Sequence, residues 1–244
     1  MSASAVLAPA KLTVTLRITG VRADGYHLID AEMVTLDLAD TLTFGAGSGI
    51  TVTGPYAAGV PVDERNLIHK ALAAVDRQAA VHVEKRIPAG GGLGGGSADA
   101  AAVLRWAGCT DVALAARLGA DVPFCLAGAA RARVRGIGEI VEPLAPVARA
   151  FTLVLPPFGV STPAVYRVWD DLGGPHSDGL NDLEPAALVV EPRLAEWRDR
   201  IADATGVTPV LAGSGSTWFV PGDHLDAADA LAPATVLRAR TTPA

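Results

Sequence analysis

Six of the seven residues at positions 90–96 are glycine, and the chain passes from them straight into the alanine-rich stretch 97–104. Ordering so much glycine is entropically unfavourable, so the run constrains the fold. Its backbone must need positive φ, or must approach something too closely for a side chain to intervene. The alanine-rich stretch predicts a helix, with the Ser97 hydroxyl able to cap its first turn. A glycine loop that ends at a helix N-terminus gathers unpaired N–H groups at the positive end of the helix dipole, and a phosphate chain is the anion such a site suits. A flexible linker is the competing reading. Residues 80–85, however, read as a strand leading into the loop, and a linker does not usually join a strand directly to a helix.

The loop follows neither common phosphate motif. Gly90, Gly92 and Gly95 have dinucleotide-fingerprint spacing, as any tract this rich in glycine would, but no acidic residue is clearly placed to read a ribose. The Walker lysine and hydroxyl are missing, since no Gly-Lys-Ser or Gly-Lys-Thr occurs in the chain. With 244 residues, half of them hydrophobic, the chain can bury a substantial core in one large or two modest domains. No apolar run reaches the roughly 18 residues of a membrane span, and the first ten residues lack a basic start followed by an apolar core. A cytoplasmic protein with no membrane partner is expected. Cys109 and Cys125 lack metal-ligand spacing and read as reduced packing residues. A net charge of −6 without a long basic run argues against a nucleic-acid partner, so any anion must be bound locally. Lysine occurs only at Lys11, Lys70 and Lys85, which makes a buried one conspicuous.

In chain order, residues 10–18 alternate as a strand, with Leu12, Val14, Leu16 and Ile18 on one face and Lys11, Thr13, Thr15 and Arg17 on the other. Asp24-Gly25 signals a turn that presents Tyr26 and His27, for which ordinary packing is the plainer alternative. Residues 33–38, 41–44 and 50–53 read as further strands, Asn66 caps a helix over 67–74, and the loop-following helix runs to about Trp106. A helix over 112–118 ends at Gly119, suited to a C-cap. Asp121 then stands in a tight apolar setting, either capping a turn or acting as a base toward a hydroxyl. Strands over 129–134 and 139–141 follow. After a lobe boundary at 145–150 the pattern restarts with strands at 151–155, 207–211, 218–220 and 235–239, and helices at 162–172, from 181, at 192–205 and at 225–231. The interleaving predicts an α+β protein of two lobes, and no internal repeat is visible.

Three segments, Pro9-Ala10-Lys11, residues 92–98, and Gly213-Ser214-Gly215 near the end, together resemble the signatures of the GHMP kinase superfamily. Within it, the strings PAK, RADGYH, KRIPAGGGLGGGSADAA, LGADVPF, GVSTPAVY and NDLE, spread from residue 9 to about 215, are most similar to the family that phosphorylates the 2-hydroxyl of 4-diphosphocytidyl-2-C-methyl-D-erythritol in non-mevalonate isoprenoid synthesis. The resemblance implies a two-lobed fold, residues 1–148 forming a ribosomal-protein-S5-like N-terminal lobe and 149–244 a ferredoxin-like C-terminal lobe. It also implies ATP and Mg2+ as cofactors and a monomer or weak homodimer.

By that resemblance Asp121 matches the catalytic aspartate and Lys11 its paired lysine. Asn66, Pro88, Gly90, Gly91, Gly92, Leu93, Gly94, Gly95, Gly96, Ser97 and Ala98 match the nucleotide-binding segments, with Ser97 the candidate hydroxyl nearest the metal. Tyr26 and Tyr166 match the aromatic pair that sandwiches the cytosine, and His27 the residue that reads the base edge. Thr162 and Asp182 fall on segments facing the substrate. The chain departs from the family at Thr13, where asparagine is usual, and in shortened helices after Asn66 and after Trp106. A GHMP kinase for another acceptor, and a nucleotide-binding relative without activity, are the rival readings.

Overall fold

A computed structural model describes residues 4–242. The strand expected at 10–18 is the middle of a longer one, β1 (Ser4–Val21), which pairs antiparallel along its length with β2 (His27–Gly45). The Asp24-Gly25 turn joins them, and Arg22 N–H closes it on Tyr26 C=O at 2.8 Å. β2 merges the two strands expected at 33–38 and 41–44. Asp40 does not break it, because that carboxylate is buried and fully bonded at β2's second half.

The polar face expected for β1 is also different. Lys11 and Thr13 are buried, because the edge of β1 turned away from β2 is covered by other segments. Lys11 N–H donates to Leu93 C=O of the glycine loop at 3.0 Å, and Leu16 N–H donates to Leu180 C=O at 2.8 Å. Register shifts between Pro9 and Lys11 and between Thr13 and Thr15 bracket this stretch, and such bulges re-aim side chains.

β3 (Gly49–Thr53), α1 (Leu67–Ala74) and β4 (Ala80–Glu84) form a parallel crossover. α2 (Gly95–Trp106), α3 (Val112–Leu118) and a short α4 (Val122–Ala127) follow, then β5 (Arg131–Gly136) and β6 (Ile140–Pro143). The first sheet has the order β3-β4-β2-β5-β6, with β1 alongside β2. The second edge of β2 is shared, β5 pairing with residues 29–34 and β4 with 41–45. The helix α4 was not expected. Its proline stands at the second helical position, where a missing N–H has no intrahelical acceptor to lose.

The chain then enters a second sheet, β10-β7-β9-β8, built from β7 (Ala150–Leu155), β8 (Val210–Leu211), β9 (Trp218–Pro221) and β10 (Thr235–Arg240). α5 (Thr162–Asp171), α6 (Glu184–Val190) and α7 (Arg193–Thr205) pack on it. β8 is shorter than expected, since Pro209 has no N–H to offer a ladder. The helix expected at 225–231 shrinks to a 3-10 turn, Leu225–Ala227, with only Ala227 and Leu231 buried to hold it.

Three apolar clusters result. One lies between the first sheet and α1 to α4, and one under α5 to α7. The third joins the two sheets through Leu12, Leu36, Ile87, Leu93, Leu153 and Phe219. Thr242 N–H donating to Thr35 C=O at 3.0 Å and Arg149 bonding Glu32 at 2.8 Å reinforce that seam. The glycine loop and β1 are therefore fixed from both lobes.

Candidate active site

The loop at 90–96 runs between β4 and α2. Gly94, at φ 71°, is the N-cap of α2, and a Cβ there would stand 2.8 Å from Lys11 Cγ. Glycine is required at this position twice over, for the left-handed backbone and for the approach of the lysine stem. α2 begins at Gly95, two residues earlier than expected, so Ser97 sits inside the first turn and does not cap it. No side chain caps this helix, which leaves its first N–H groups for a ligand. Ala98 is excluded from that role, being fully buried with its N–H donating to Gly94 C=O at 2.8 Å.

A cavity of about 250 Å3 opens on the loop, lined by Asn66, Pro88, every residue of 90–96, Lys85 and Asp99. Asn66 serves it indirectly: its Oδ1 accepts from Ile68 N–H at 2.9 Å and its Nδ2 donates to Pro61 C=O at 2.7 Å, so the amide caps α1 as expected. Ser97 does not line this cavity. Its Oγ lies on the side of Gly119, 4.0 Å from where a Cβ on that glycine would stand.

A second cavity, about 190 Å3, lies across the loop and shares Gly92 with the first. Lys11, Thr13, His27, Asp121, Thr162 and Tyr166 all line it, so six residues scattered over 156 positions of sequence converge on one space. Lys11 Nζ is 3.2 Å from Asp121 Oδ2 and donates to Thr13 Oγ1 at 3.1 Å. Asp121 retains 29% side-chain exposure while Lys11 is buried, so the carboxylate is the member of the pair open to a ligand.

Local structure explains where Asp121 stands. It occupies the N-cap position of α4 yet makes no capping bond, its carboxylate turning to Lys11 instead. Gly119 ends α3 in extended backbone (φ 168°), not the left-handed conformation expected of a glycine C-cap. Gly138, at φ 120°, passes so close beneath that a Cβ would meet Ala120 C=O at 2.1 Å. The turn between β5 and β6 thereby supports the Asp121 loop. The Tyr166 hydroxyl is pushed up to about 12, chiefly by burial and further by the negative charge of Asp121.

The second lobe supplies the far wall. Thr162 Oγ1 and Ser214 Oγ are 2.6 Å apart, tying the start of α5 to the late glycine-serine turn. Asn181, missed in the sequence, fixes that turn by donating to Leu211 and Gly213 C=O at 2.9 and 2.7 Å. His27 is not presented to solvent as expected: its side chain is 10% exposed, packed on Tyr166 and bonded to Asp170 at 2.8 Å. Tyr26 is exposed, at 59%, and lies outside the cavity with Arg22 over its ring.

Asp182 corrects the expectation that it faces the substrate. It is fully buried behind the wall, accepting from Arg17 at 2.7 Å, Ile18 N–H at 3.0 Å, Ser177 N–H at 3.0 Å and His176 at 2.9 Å. Burial alone would raise its pKa, but these four donors hold it below the usual carboxylate value. Asp182 clasps β1 to the segment before α6 and has no oxygen left for a ligand.

The largest omission from the sequence reading is a buried ion cluster under the loop. Lys85 Nζ bonds Asp40 and, at 2.8 Å, Asp99, and all three side chains are at least nine-tenths buried. Asp40 also accepts from Arg86 and Ile87 N–H at 2.6 and 2.8 Å. Asp99 Oδ1 has no partner, and burial raises this carboxyl to about 7, with Lys85 opposing and Asp40 adding to the rise. A Cβ on Gly95 would lie 3.3 Å from Lys85 Nζ, so the cluster is the floor on which α2 starts. The scarcity of lysine was the one sequence signal that could have pointed to it.

Comparison with known proteins agrees with this geometry. The profile of the GHMP kinases N terminal domain matches residues 66–129. A 4-diphosphocytidyl-2-C-methyl-D-erythritol kinase from Paracoccus denitrificans (strain Pd 1222) is 38% identical over 87% of this chain and 84% of its own. One from Dinoroseobacter shibae (strain DSM 16493 / NCIMB 14021 / DFL 12) is 42% identical over 87% and 83%. A crystal structure of 4-(cytidine 5'-diphospho)-2C-methyl-D-erythritol kinase superposes with a TM-score of 0.74 at 32% identity, covering 98% of this chain and 100% of that one. With this identity spread over nearly the whole chain, and with the glycine loop, the Lys11 to Asp121 pair and the two lobes in one arrangement, the chain belongs to the 4-diphosphocytidyl-2-C-methyl-D-erythritol kinase family of GHMP kinases.

Proposed function

We propose that this protein transfers the γ-phosphoryl group of ATP to the 2-hydroxyl of 4-diphosphocytidyl-2-C-methyl-D-erythritol. The observation that carries this reading is the Lys11 to Asp121 pair, 3.2 Å apart in a cavity that meets the glycine-loop cavity at Gly92. A donor phosphate on one side of the loop and an acceptor hydroxyl on the other would then lie next to each other.

The roles follow from the chemistry of the groups. Asp121 accepts or orients the proton of the attacking hydroxyl. Lys11 pairs with that carboxylate and offsets negative charge at the phosphoryl group in flight. The open N–H groups at the start of α2 cradle the phosphates, and positioning of this kind supplies most of the catalysis in phosphoryl transfer. Thr13 holds Lys11 where the family usually has asparagine, so the hydroxyl serves the lysine as well as the substrate. Tyr166 and Tyr26 grip the cytosine and His27 reads its edge, Tyr26 reaching the base from the exposed hairpin tip.

The residues present fit the nucleotide's phosphates, since the helix is uncapped and six glycines of the loop line the cavity at its N-terminus. For magnesium, no group of three or more His, Cys, Asp or Glu side chains among the described residues could hold an ion. A metal there would be carried largely by phosphate oxygens, Ser97 Oγ being turned toward Gly119 and away from this cavity. Bound with the phosphates, magnesium would neutralise part of their charge.

The test is ATP-dependent phosphorylation by the purified protein, following ADP and the phosphorylated product, with mevalonate and homoserine alongside. Turnover of the cytidyl substrate alone is expected. Turnover of another acceptor, or ATP binding without any turnover, would overturn the reading.

A further inference from the structure

His27 is held in a way that phosphoryl transfer does not require. Its ring packs on Tyr166, with centroids 4.7 Å apart, and meets the edge of Trp169 at 5.4 Å, while Nε2 stands 2.8 Å from Asp170 Oδ1. All three neighbours belong to α5. An imidazole at the start of β2, in one lobe, is therefore docked on a single helix of the other.

An ionised carboxylate can only accept, so Nε2 carries the proton in this pair. In the neutral ring Nδ1 is then a bare acceptor, since the partner of one nitrogen sets the state of the other. Among the described residues Nδ1 has no hydrogen-bond partner, and it is not sealed from solvent. His27 lines the cavity that holds Lys11 and Asp121. A ligand group lying against Nδ1 must bring a donor.

We infer that Asp170 is a positioning residue for base specificity: by taking the Nε2 proton it leaves His27 Nδ1 an acceptor, which pairs with the exocyclic amine of cytosine and repels the carbonyl oxygen that uracil carries at the same place. The inference rests on the cytidyl substrate proposed above. It assigns to Asp170 no contact with substrate. Asp170 lies near the C-terminal end of α5, is 48% exposed at its side chain, and makes no other side-chain hydrogen bond among the described residues, so its replacement leaves the core intact.

The experiment compares Asp170→Ala and Asp170→Glu with wild type on the cytidyl substrate and on its uridyl counterpart. For the alanine variant, KM for the cytidyl substrate should rise about tenfold with kcat within about twofold, the effect of one hydrogen bond. Its preference for cytidyl over uridyl in kcat/KM should fall by a similar factor, and glutamate should restore part of both. Nitrogen NMR of the ligand-free wild type should show the His27 proton on Nε2, and the alanine variant a mixture of tautomers. Unchanged KM and base preference, a loss carried by kcat, or a wild-type ring protonated at Nδ1 would each overturn the assignment. If wild type phosphorylated neither substrate, the proposed function would fail, and the NMR spectrum would decide the role of Asp170 by itself.

Discussion

Lys11 and Lys85 are two buried lysines on either side of one glycine loop, and the difference between them separates chemistry from scaffolding. Lys85 lies between two carboxylates as buried as itself, in a trio that edges the glycine-loop cavity through Lys85 and Asp99. Lys11 meets a single carboxylate, Asp121, which keeps its outer side open to a cavity. A cluster whose members are all buried is defined by what breaking it would cost, because an uncompensated buried charge is strongly destabilising. A half-open pair holds its charge ready for a third party. Burial of a lysine thus says little about function until the exposure of its partner is known.

Three measurements test that contrast. The largest effect should come from Asp121→Ala, which is expected to lower kcat by about two to four orders of magnitude, the usual range for removing a general base, with nucleotide affinity little changed. Lys11→Met should act likewise on kcat and leave unfolding free energy within about 1.5 kcal/mol, since its partner can be hydrated. A fully active Asp121 variant would remove the catalytic assignment.

Next in size, Lys85→Met should cost about 3–5 kcal/mol of stability in denaturant unfolding, because the buried Asp40 carboxylate would lose its charged partner. Equal losses of stability for the Lys85 and Lys11 variants would erase the distinction. The smallest effect concerns pH. Burial raises Asp99 in the folded protein to about 7, so the folded state binds more protons than the unfolded state between about pH 4 and that value. Its contribution is fully present below about pH 4 and is lost as pH rises through about 7. Asp99→Asn, which mimics the protonated acid, should remove that slope and be the more stable of the two proteins at pH 8. Parallel stability profiles for the two proteins would show that Asp99 is ionised throughout.

Much of the fold was legible in local signals. The helix over 67–74 has the expected ends because Asn66 caps it from within the same few residues. α3 also has the expected ends, with the Asp111 carboxylate accepting from Ala113 and Leu114 N–H. Errors arose where distant residues decide. Asp40 looked like the gap between two strands, yet it lies inside one long strand because Lys85, 45 positions away, neutralises it. Asp182 looked like a cleft residue, yet Arg17, 165 positions away, claims it for the seam between the lobes. Ser97 looked like a helix cap, yet the helix had already begun at Gly95.

The sequence by itself determined that this chain carries a glycine-rich loop ahead of a helix, an α+β pattern in two parts, and the motifs of the GHMP kinases, because glycine content, capping residues and strand alternation act over a few neighbouring residues. Only the tertiary structure decided which charged groups are buried together with their partners and which face a partner that stays exposed, since that depends on how two lobes close over β1. It also decided that Lys11 and Asp121 meet at 3.2 Å across the loop from the glycine-loop cavity, and that Asp170 holds His27. Whether a carboxylate is satisfied by the protein or left for a ligand depends on every neighbour within a few ångströms, and those neighbours come from every part of the chain.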